Sequence, residues 1–321
     1  MRIGLMDSGL RDHGVASLDE MVELTRVAER SGLASMWFSN IVGHDAMTAA
    51  ALAARATDRI EVGTAVTPTY PRHPYAMAQQ AASTQAAARG RFTLGVGPSH
   101  RIVVEGRWGL SYERPYAHTR EYLSVLVPLL RTGEIHHAGK RFTVRARLTS
   151  TDGLPVPVLL SALGPKMLAL AGSLAAGTVT WMVGARTLRE HIVPGVREAA
   201  ARAGRPAPRI VVGLPLAVTS DVAAARDAAD RTYKVYGALP AYRAMLDREG
   251  VAGPADVAIV GDADEIGEQL LRLAEAGATD FIGSPFGGGE RAATLERCVS
   301  TLAAVASALA ARPSLPTEPS V

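Results

Sequence analysis

The chain has one cysteine, Cys298, so an intrachain disulfide and any metal site built from several cysteines are both excluded. Cys298 falls in a helical pattern with Leu295 and Leu302 and reads as a core residue, because free cysteine packs like a small hydrophobe. Long apolar runs are missing too. No window approaches the roughly 18 uninterrupted apolar residues of a membrane span, so no membrane partner is expected. The opening "MRIGLMDSGLRDHG" is interrupted by Asp7 and Arg11 too soon for a signal peptide, and the chain is read as cytoplasmic. Excess charge of one sign is also scarce. Net charge is +3, and the basic residues are scattered rather than gathered in a stripe, which argues against a nucleic-acid partner. A small anionic ligand needs only a local excess of Arg and Lys, so it stays compatible.

What is present is a large apolar content, 48% of 321 residues, enough to bury a sizeable core. "RIGLM" is a short apolar run, followed by "SLDEMVELTRVAERSG" with Leu18, Met21, Leu24 and Ala28 at helical spacing. Ser17 and Glu20 have capping-box spacing ahead of that helix, and Gly32 ends it. The strands "ASMWF", "RIEVGTAV" and "RFTLGVG" then alternate with the helices "DAMTAAALAARAT" and "PYAMAQQAASTQAAARG". After the fourth strand the rhythm stops for an insertion at about 101–154, holding a loop, a helix and a hairpin, too long for an ordinary connection. Alternation resumes with the strands "VPVLLSA", "GTVTWMV", "RIVVGLPLAV" and "TDFIGSP", separated by helices and by a second irregular stretch around Pro240–Pro254. Eight strands with intervening helices predict an α/β protein, a (β/α)8 TIM barrel with insertions, spanning 1–311 as one domain. An open doubly wound sheet is disfavoured, since no G-x-G-x-x-G turn follows the first strand. The tail "RPSLPTEPSV" within 312–321 is expected to be disordered.

A barrel builds its site from the C-terminal strand ends. These are Met6–Asp7–Ser8, Phe38–Ser39–Asn40, Val66–Tyr70, Gly95–His100, Ser161–Gly164, Trp181–Met182, Ala217–Val218 and Gly283–Pro285. The rim is rich in Gly, Pro, Ser and Thr and poor in carboxylates, so two-carboxylate hydrolysis and a metal cluster both lack their residues. Three segments stand out. "TPTYPRHP" is a rigid proline-bound exit from the third strand, in which Thr67 and Tyr70 could face a ring-shaped ligand and Arg72 an anion. "GVGPSH" brings His100, a candidate proton donor, beside glycines that let a ligand approach the backbone. In "LGPKMLALAG", Pro165 suits the first helical position and leaves the amides of Lys166 and Met167 for an anion. His44 and Asp45 follow the second strand; Asp45 is the better candidate for capping the next helix.

Together "WFSN", "VGTAVTPTYPRHP", "GRFTLGVGPSH", "ALGPKMLALAGSLAAG" and "GATDFIGSPFGGGE" resemble the luciferase-like oxidoreductase superfamily, in the branch that uses the deazaflavin coenzyme F420. Their order and spacing are similar to those of methylenetetrahydromethanopterin reductase and its relatives. The resemblance implies a third-strand bulge with a non-prolyl cis peptide against the central cofactor ring, within Thr64, Ala65 and Val66, at Ala65–Val66 first and at Thr64–Ala65 otherwise. It implies that Asn40 and Thr67 contact the cofactor and that Gly97, Pro98 and Ser99 border it. Leu163, Gly164, Lys166 and Met167 would then offer backbone amides to the phosphate of its tail. Relatives place an Asp-His pair after strand two, where this chain has Asn40 and Ile41, and sugar-phosphate dehydrogenases have a glutamate at His100. His100 is therefore the first candidate acid, ahead of Tyr70 and His44. The implied function is F420-dependent hydride transfer to an activated C=C or C=N bond of a small-molecule substrate, by a homodimer. The rivals are an FMN-dependent monooxygenase and a non-catalytic cofactor- or partner-binding barrel.

Overall fold

The computed structural model describes residues 1–11, 14–149, 153–287 and 290–311. Eight parallel strands close into a barrel: β1 (Arg2–Asp7), β2 (Ser35–Phe38), β3 (Glu61–Thr64), β4 (Phe92–Gly97), β5 (Val158–Ser161), β6 (Gly177–Trp181), β7 (Arg209–Val218) and β8 (Asp280–Pro285). Sequence neighbours pair throughout. β8 returns to β1 with Arg2 opposite Asp280, and Val158 of β5 lies opposite Leu94 of β4. The tail at 312–321 and positions 150–152 within the insertion lie outside the described residues.

Local chemistry explains the elements. The helix Leu18–Arg30 starts at the expected capping box, with Glu20 N donating to Ser17 Oγ at 3.2 Å and Ser17 N to the Glu20 carboxylate at 2.6 Å. Between β4 and β5 come the helices Arg101–Gly106 and Pro115–Thr132 and an antiparallel hairpin, Glu134–Ala138 with Thr143–Arg147. The stretch read as irregular around Pro240–Pro254 is mostly a helix, Pro240–Glu249, which corrects that expectation. Proline opens it, Gly250 closes it at φ 82°, and Tyr242, Met245 and Leu246 form its buried face. The helix Arg291–Ala311 has the length and hydropathy of a membrane span, but buries Cys298, Val299, Leu302 and Val305 in the protein core.

Inside the barrel, Met6, Trp37, Leu159, Val179, Val211 and Ile282 pack into one cluster. The end where the strands begin is closed by ion pairs. Arg209 reaches Glu61 at 2.6 Å and Asp280 at 2.6 Å, with its guanidinium 5.4 Å from the Trp37 ring centroid. Burial alone would weaken its charge, yet the hydrogen bonds it donates to Asp280 and Glu61 outweigh burial and raise its pKa. That closed end leaves the opposite one for a site.

Candidate active site

At the C-terminal end of the strands lies a cavity of about 730 Å³. Seven of the eight strand ends contribute to it, among them Asp7, Asn40, Val66, His100, Ser161, Trp181 and Ser284. The end of β7 does not, because the short strand Ile259–Gly261 pairs along it.

β3 stops at Thr64, the chain bulges through Ala65–Val66, and Thr67–Pro68 then pairs with Val96–Gly97 of β4. The peptide between Ala65 and Val66 is cis, at the first of the two positions the resemblance implied. Thr64 anchors the bulge: its Oγ1 donates to Gly95 O at 2.8 Å and accepts from Gly95 N at 3.0 Å. A side chain on Gly95 would put its Cβ 2.0 Å from Thr64 O, and one on Gly97 would meet Val66 Cγ2 at 2.9 Å. The two glycines thus make room for the bulge, and Ala65, Val66 and Gly97 reach the cavity wall. Thr64, with its hydroxyl committed to Gly95, holds the wall rather than lining it. Thr67 is fully buried, and its Oγ1 has no hydrogen-bond partner among the described residues.

Of the candidate acids, only His100 lines the cavity. Its ring stands 5.6 Å from that of Tyr242, and burial lowers its pKa below the ordinary 6.5. His44 is exposed on the loop after β2 and lines nothing there. Tyr70 turns away: its ring stacks on His118 at 4.0 Å and on Tyr112 at 5.2 Å, in an aromatic cluster beside the insertion. Burial pushes His118 down to about 4 there, and Thr69 Oγ1 lies 3.2 Å from its Nε2. Arg72, expected to meet an anion, is instead paired with Asp45, which also caps the helix Ala46–Arg55 through Thr48 N at 2.9 Å. The carboxylate gains a cap and a cation together, and the arginine is no longer free.

Asn40 and Ser99 line the cavity; Pro98 between strand end and helix does not. Asn40 Oδ1 accepts from Ala46 N at 3.1 Å, which fixes its orientation. Ser99 holds φ +60° while its carbonyl accepts from the Tyr112 hydroxyl at 3.0 Å. The helix Pro165–Ser173 starts at Gly164 with no side-chain cap, just beyond Ser161. Leu163, Gly164, Lys166 and Met167 sit at that start, outside the cavity lining. Met167 N turns back to Gly164 O at 3.0 Å, so of the two amides expected to be free only that of Lys166 remains. Leu163 O is held by His191 Nε2 at 2.8 Å.

Of the opposite wall the sequence reading had Trp181, as a strand end, and missed the rest. Trp181, Tyr233, Tyr236, Tyr242 and Phe286 all line the cavity, and Arg107 and Arg231 stand exposed at its edge. Tyr233 and Tyr236 are three apart on one helix, a spacing that by itself reads as a core face. Among the described residues no group of His, Cys, Asp and Glu could hold a metal ion.

A closed parallel barrel whose third strand bulges into a cavity at the strand ends defines a barrel built to hold a ligand at its C-terminal face. The chain belongs to the luciferase-like monooxygenase family, whose model matches residues 1–311. It is similar to an F420-dependent glucose-6-phosphate dehydrogenase of Beutenbergia cavernae, 30% identical over 261 residues that cover 76% of each chain. Its fold matches the coenzyme F420-dependent tetrahydromethanopterin reductase of Methanopyrus kandleri, at TM-score 0.80 and 22% identity over 94% of this chain and 97% of that one. It also matches the oxygenating constituent of 3,6-diketocamphane monooxygenase of Pseudomonas putida, in complex with FMN, at TM-score 0.74 and 16% identity over 95% and 96%.

Proposed function

We propose that this chain is an F420-dependent oxidoreductase that reduces an activated C=C or C=N bond of a small-molecule substrate. The observation that carries the reading is the wall between β3 and β4, where Gly95 and Gly97 let the bulge residues Ala65 and Val66 come forward into the cavity. Such a wall, nearly free of long side chains, suits a flat ring. A Cβ at Gly95 or Gly97 would collide with the bulge, and this cradle, with Asn40 and Ser99 in the lining, fits a deazaflavin, while Thr67 lies buried outside the lining. When bound, that group supplies hydride chemistry.

The chain's own residues do the rest. Asn40 and Ser99, in the cavity lining, would border the ring, and Thr64 keeps the bulge in register through Gly95. The uncapped helix start at Gly164, with Leu163, Lys166 and Met167, would hold the anionic tail by its N-terminal dipole and the Lys166 amide. His100 holds the proton for the second substrate atom, the first being the hydride acceptor.

Titration with oxidised F420 and, separately, with FMN tests the proposal. F420 is expected to bind at least about tenfold more tightly, a difference of roughly 1.4 kcal/mol. Preferred binding of FMN, with oxygen consumed on reduction, would replace the proposal by the monooxygenase reading. Failure of both to bind would leave a non-catalytic barrel.

A further inference from the structure

We infer that the cavity takes a planar aromatic substrate bearing an anionic group, packed against an aromatic wall and steered at the mouth by Arg107 and Arg231. The inference rests on the hydride-transfer reading above for where the reacting ring lies, and deepens it by naming the substrate class.

Aromatic residues are few in this chain: eight Tyr, three Trp and five Phe. Yet Trp108, Trp181, Tyr233, Tyr236, Tyr242 and Phe286 all line one cavity. They come from separate parts of the chain: the insertion after β4, the end of β6, the two helices after β7, and the end of β8. Five of them form a continuous wall. Trp181 stands 6.0 Å from Tyr233 and 6.1 Å from Tyr236, Tyr236 is 5.0 Å from Tyr242, and Tyr233 is 5.6 Å from Phe286. These contacts are edge-to-face, at 68–83°, which locks each ring's orientation through its neighbours. The facing wall is the bulge of Ala65 and Val66. A flat apolar ligand would satisfy both walls, and among the described residues Asp7 is the only carboxylate in the lining. Asp7 itself accepts from Gly9 N at 3.0 Å and faces Arg291 at 3.7 Å.

The charge is one-sided. Among the described residues three guanidinium groups, of Arg107, Arg231 and Arg291, line the cavity against that single carboxylate. Among the described residues no carboxylate lies within ion-pair distance of Arg107 or Arg231, which sit on the insertion and on the helix Val222–Ala238. Two exposed, uncommitted guanidinium groups at a mouth attract an anion and can hold a carboxylate or phosphate by paired N–H donors. The anion could belong to the substrate or to the cofactor's own tail, and the test separates them.

Binding to the full chain is measured with three probes, 2-naphthoate, 2-naphthylmethanol and cyclohexanecarboxylate, with and without saturating F420. Calorimetry supplies the affinity and quenching of tryptophan fluorescence the location. Naphthoate is expected to bind at least about tenfold more tightly than either other probe, and to bind still with F420 present. In the Arg107→Gln/Arg231→Gln double variant naphthoate should lose its advantage over naphthylmethanol, while F420 affinity stays within about twofold. Equal affinity for cyclohexanecarboxylate would remove the aromatic wall from the argument. Competition between F420 and naphthoate would make that wall part of the cofactor seat, and a double variant that loses F420 while keeping its naphthoate preference would give the arginines to the cofactor's tail; either overturns the inference. If F420 itself does not bind, the hydride-transfer reading fails, while the ranking of the three probes on the free chain still decides the substrate class.

Discussion

The two ends of the barrel treat polar groups in opposite ways. Where the strands begin, nearly every charge is matched: Glu61 accepts from Arg209, from Arg2 at 2.6 Å and from Thr93 Oγ1 at 2.6 Å, and Asp280 accepts from Arg209 and from Thr279 Oγ1 at 2.7 Å. Where the strands end, Thr67 Oγ1 and Trp181 Nε1 are buried without a hydrogen-bond partner among the described residues. Among the described residues no carboxylate lies beside Arg107 or Arg231. Burying a polar atom unpaired costs about 1–3 kcal/mol, so a fold keeps such atoms where something else will pair with them. The matched end carries stability, and the unmatched end is where the chemistry is proposed.

Substitutions at the two ends should therefore separate activity from stability. The largest effect is expected at His100. If it delivers the proton, His100→Ala should lower turnover by about 10²–10⁴-fold, the usual worth of a positioned acid, with little change in denaturation midpoint. His100→Gln keeps a hydrogen-bond donor but cannot protonate substrate, so recovery of the rate in that variant would reduce His100 to an orienting role. The pH profile adds a second check. Burial lowers the His100 pKa below 6.5, so the imidazole is mostly neutral at pH 7. An acid in that state becomes more effective as pH falls through its pKa, and kcat/KM should rise below pH 6.5; a rate that is flat or falling there would move the acid to solvent.

At the matched end the expectation reverses. Arg209→Met takes the nearer cation from Asp280, whose side chain is only 2% exposed and keeps Arg2 at 3.5 Å, while Glu61 keeps Arg2 at 2.6 Å. Removing one partner of a buried pair costs about 3–5 kcal/mol, and the retained Arg2 contacts favour the lower figure. Urea denaturation should show that loss, and F420 affinity of the folded protein should stay unchanged. A stable Arg209→Met protein with weakened cofactor binding would contradict the division between the ends.

Much of the unmatched end was legible because it is local in sequence. The strand ends follow from alternation, and the bulge at Ala65–Val66 follows from the family resemblance that the stretch "VGTAVTPTYPRHP" helps to carry, since its prolines by themselves read only as a rigid loop. Asp45 as a cap is likewise a short-range signal. What escaped is long-range. Arg72 finds Asp45 across 27 residues, so an arginine in a loop looked free when it was not. Tyr70 meets His118 from the insertion, and nothing in "TPTYP" announces that partner. The aromatic wall joins Trp181, Tyr236 and Tyr242 from three elements, and each looks like ordinary core within its own helix or strand. Only Pro240 and Gly250, flanking Tyr242, carried a signal that was there to be read: a helix start and stop around a periodic apolar face.

The smallest expected effect is also the finest test of the comparison, since one substitution should raise stability and lower affinity together. Gly164 precedes the helix Pro165–Ser173 at φ −78° and ψ 154°, a cap conformation open to any residue, and a Cβ there would meet nothing within 4 Å. Aspartate is a better N-cap than glycine by a few tenths of a kcal/mol, so Gly164→Asp should fold at least as well as the parent. Its carboxylate would also occupy the positive end of the helix dipole, where the tail phosphate is proposed to bind, and F420 affinity should fall about tenfold or more. Gly164→Asn separates charge from bulk: it caps without a charge, so affinity should stay within about threefold of the parent if repulsion is the cause. Equal losses in both variants would point to side-chain volume. Unchanged affinity in Gly164→Asp would place the phosphate elsewhere on the rim and leave the uncapped helix start as a feature of the fold alone.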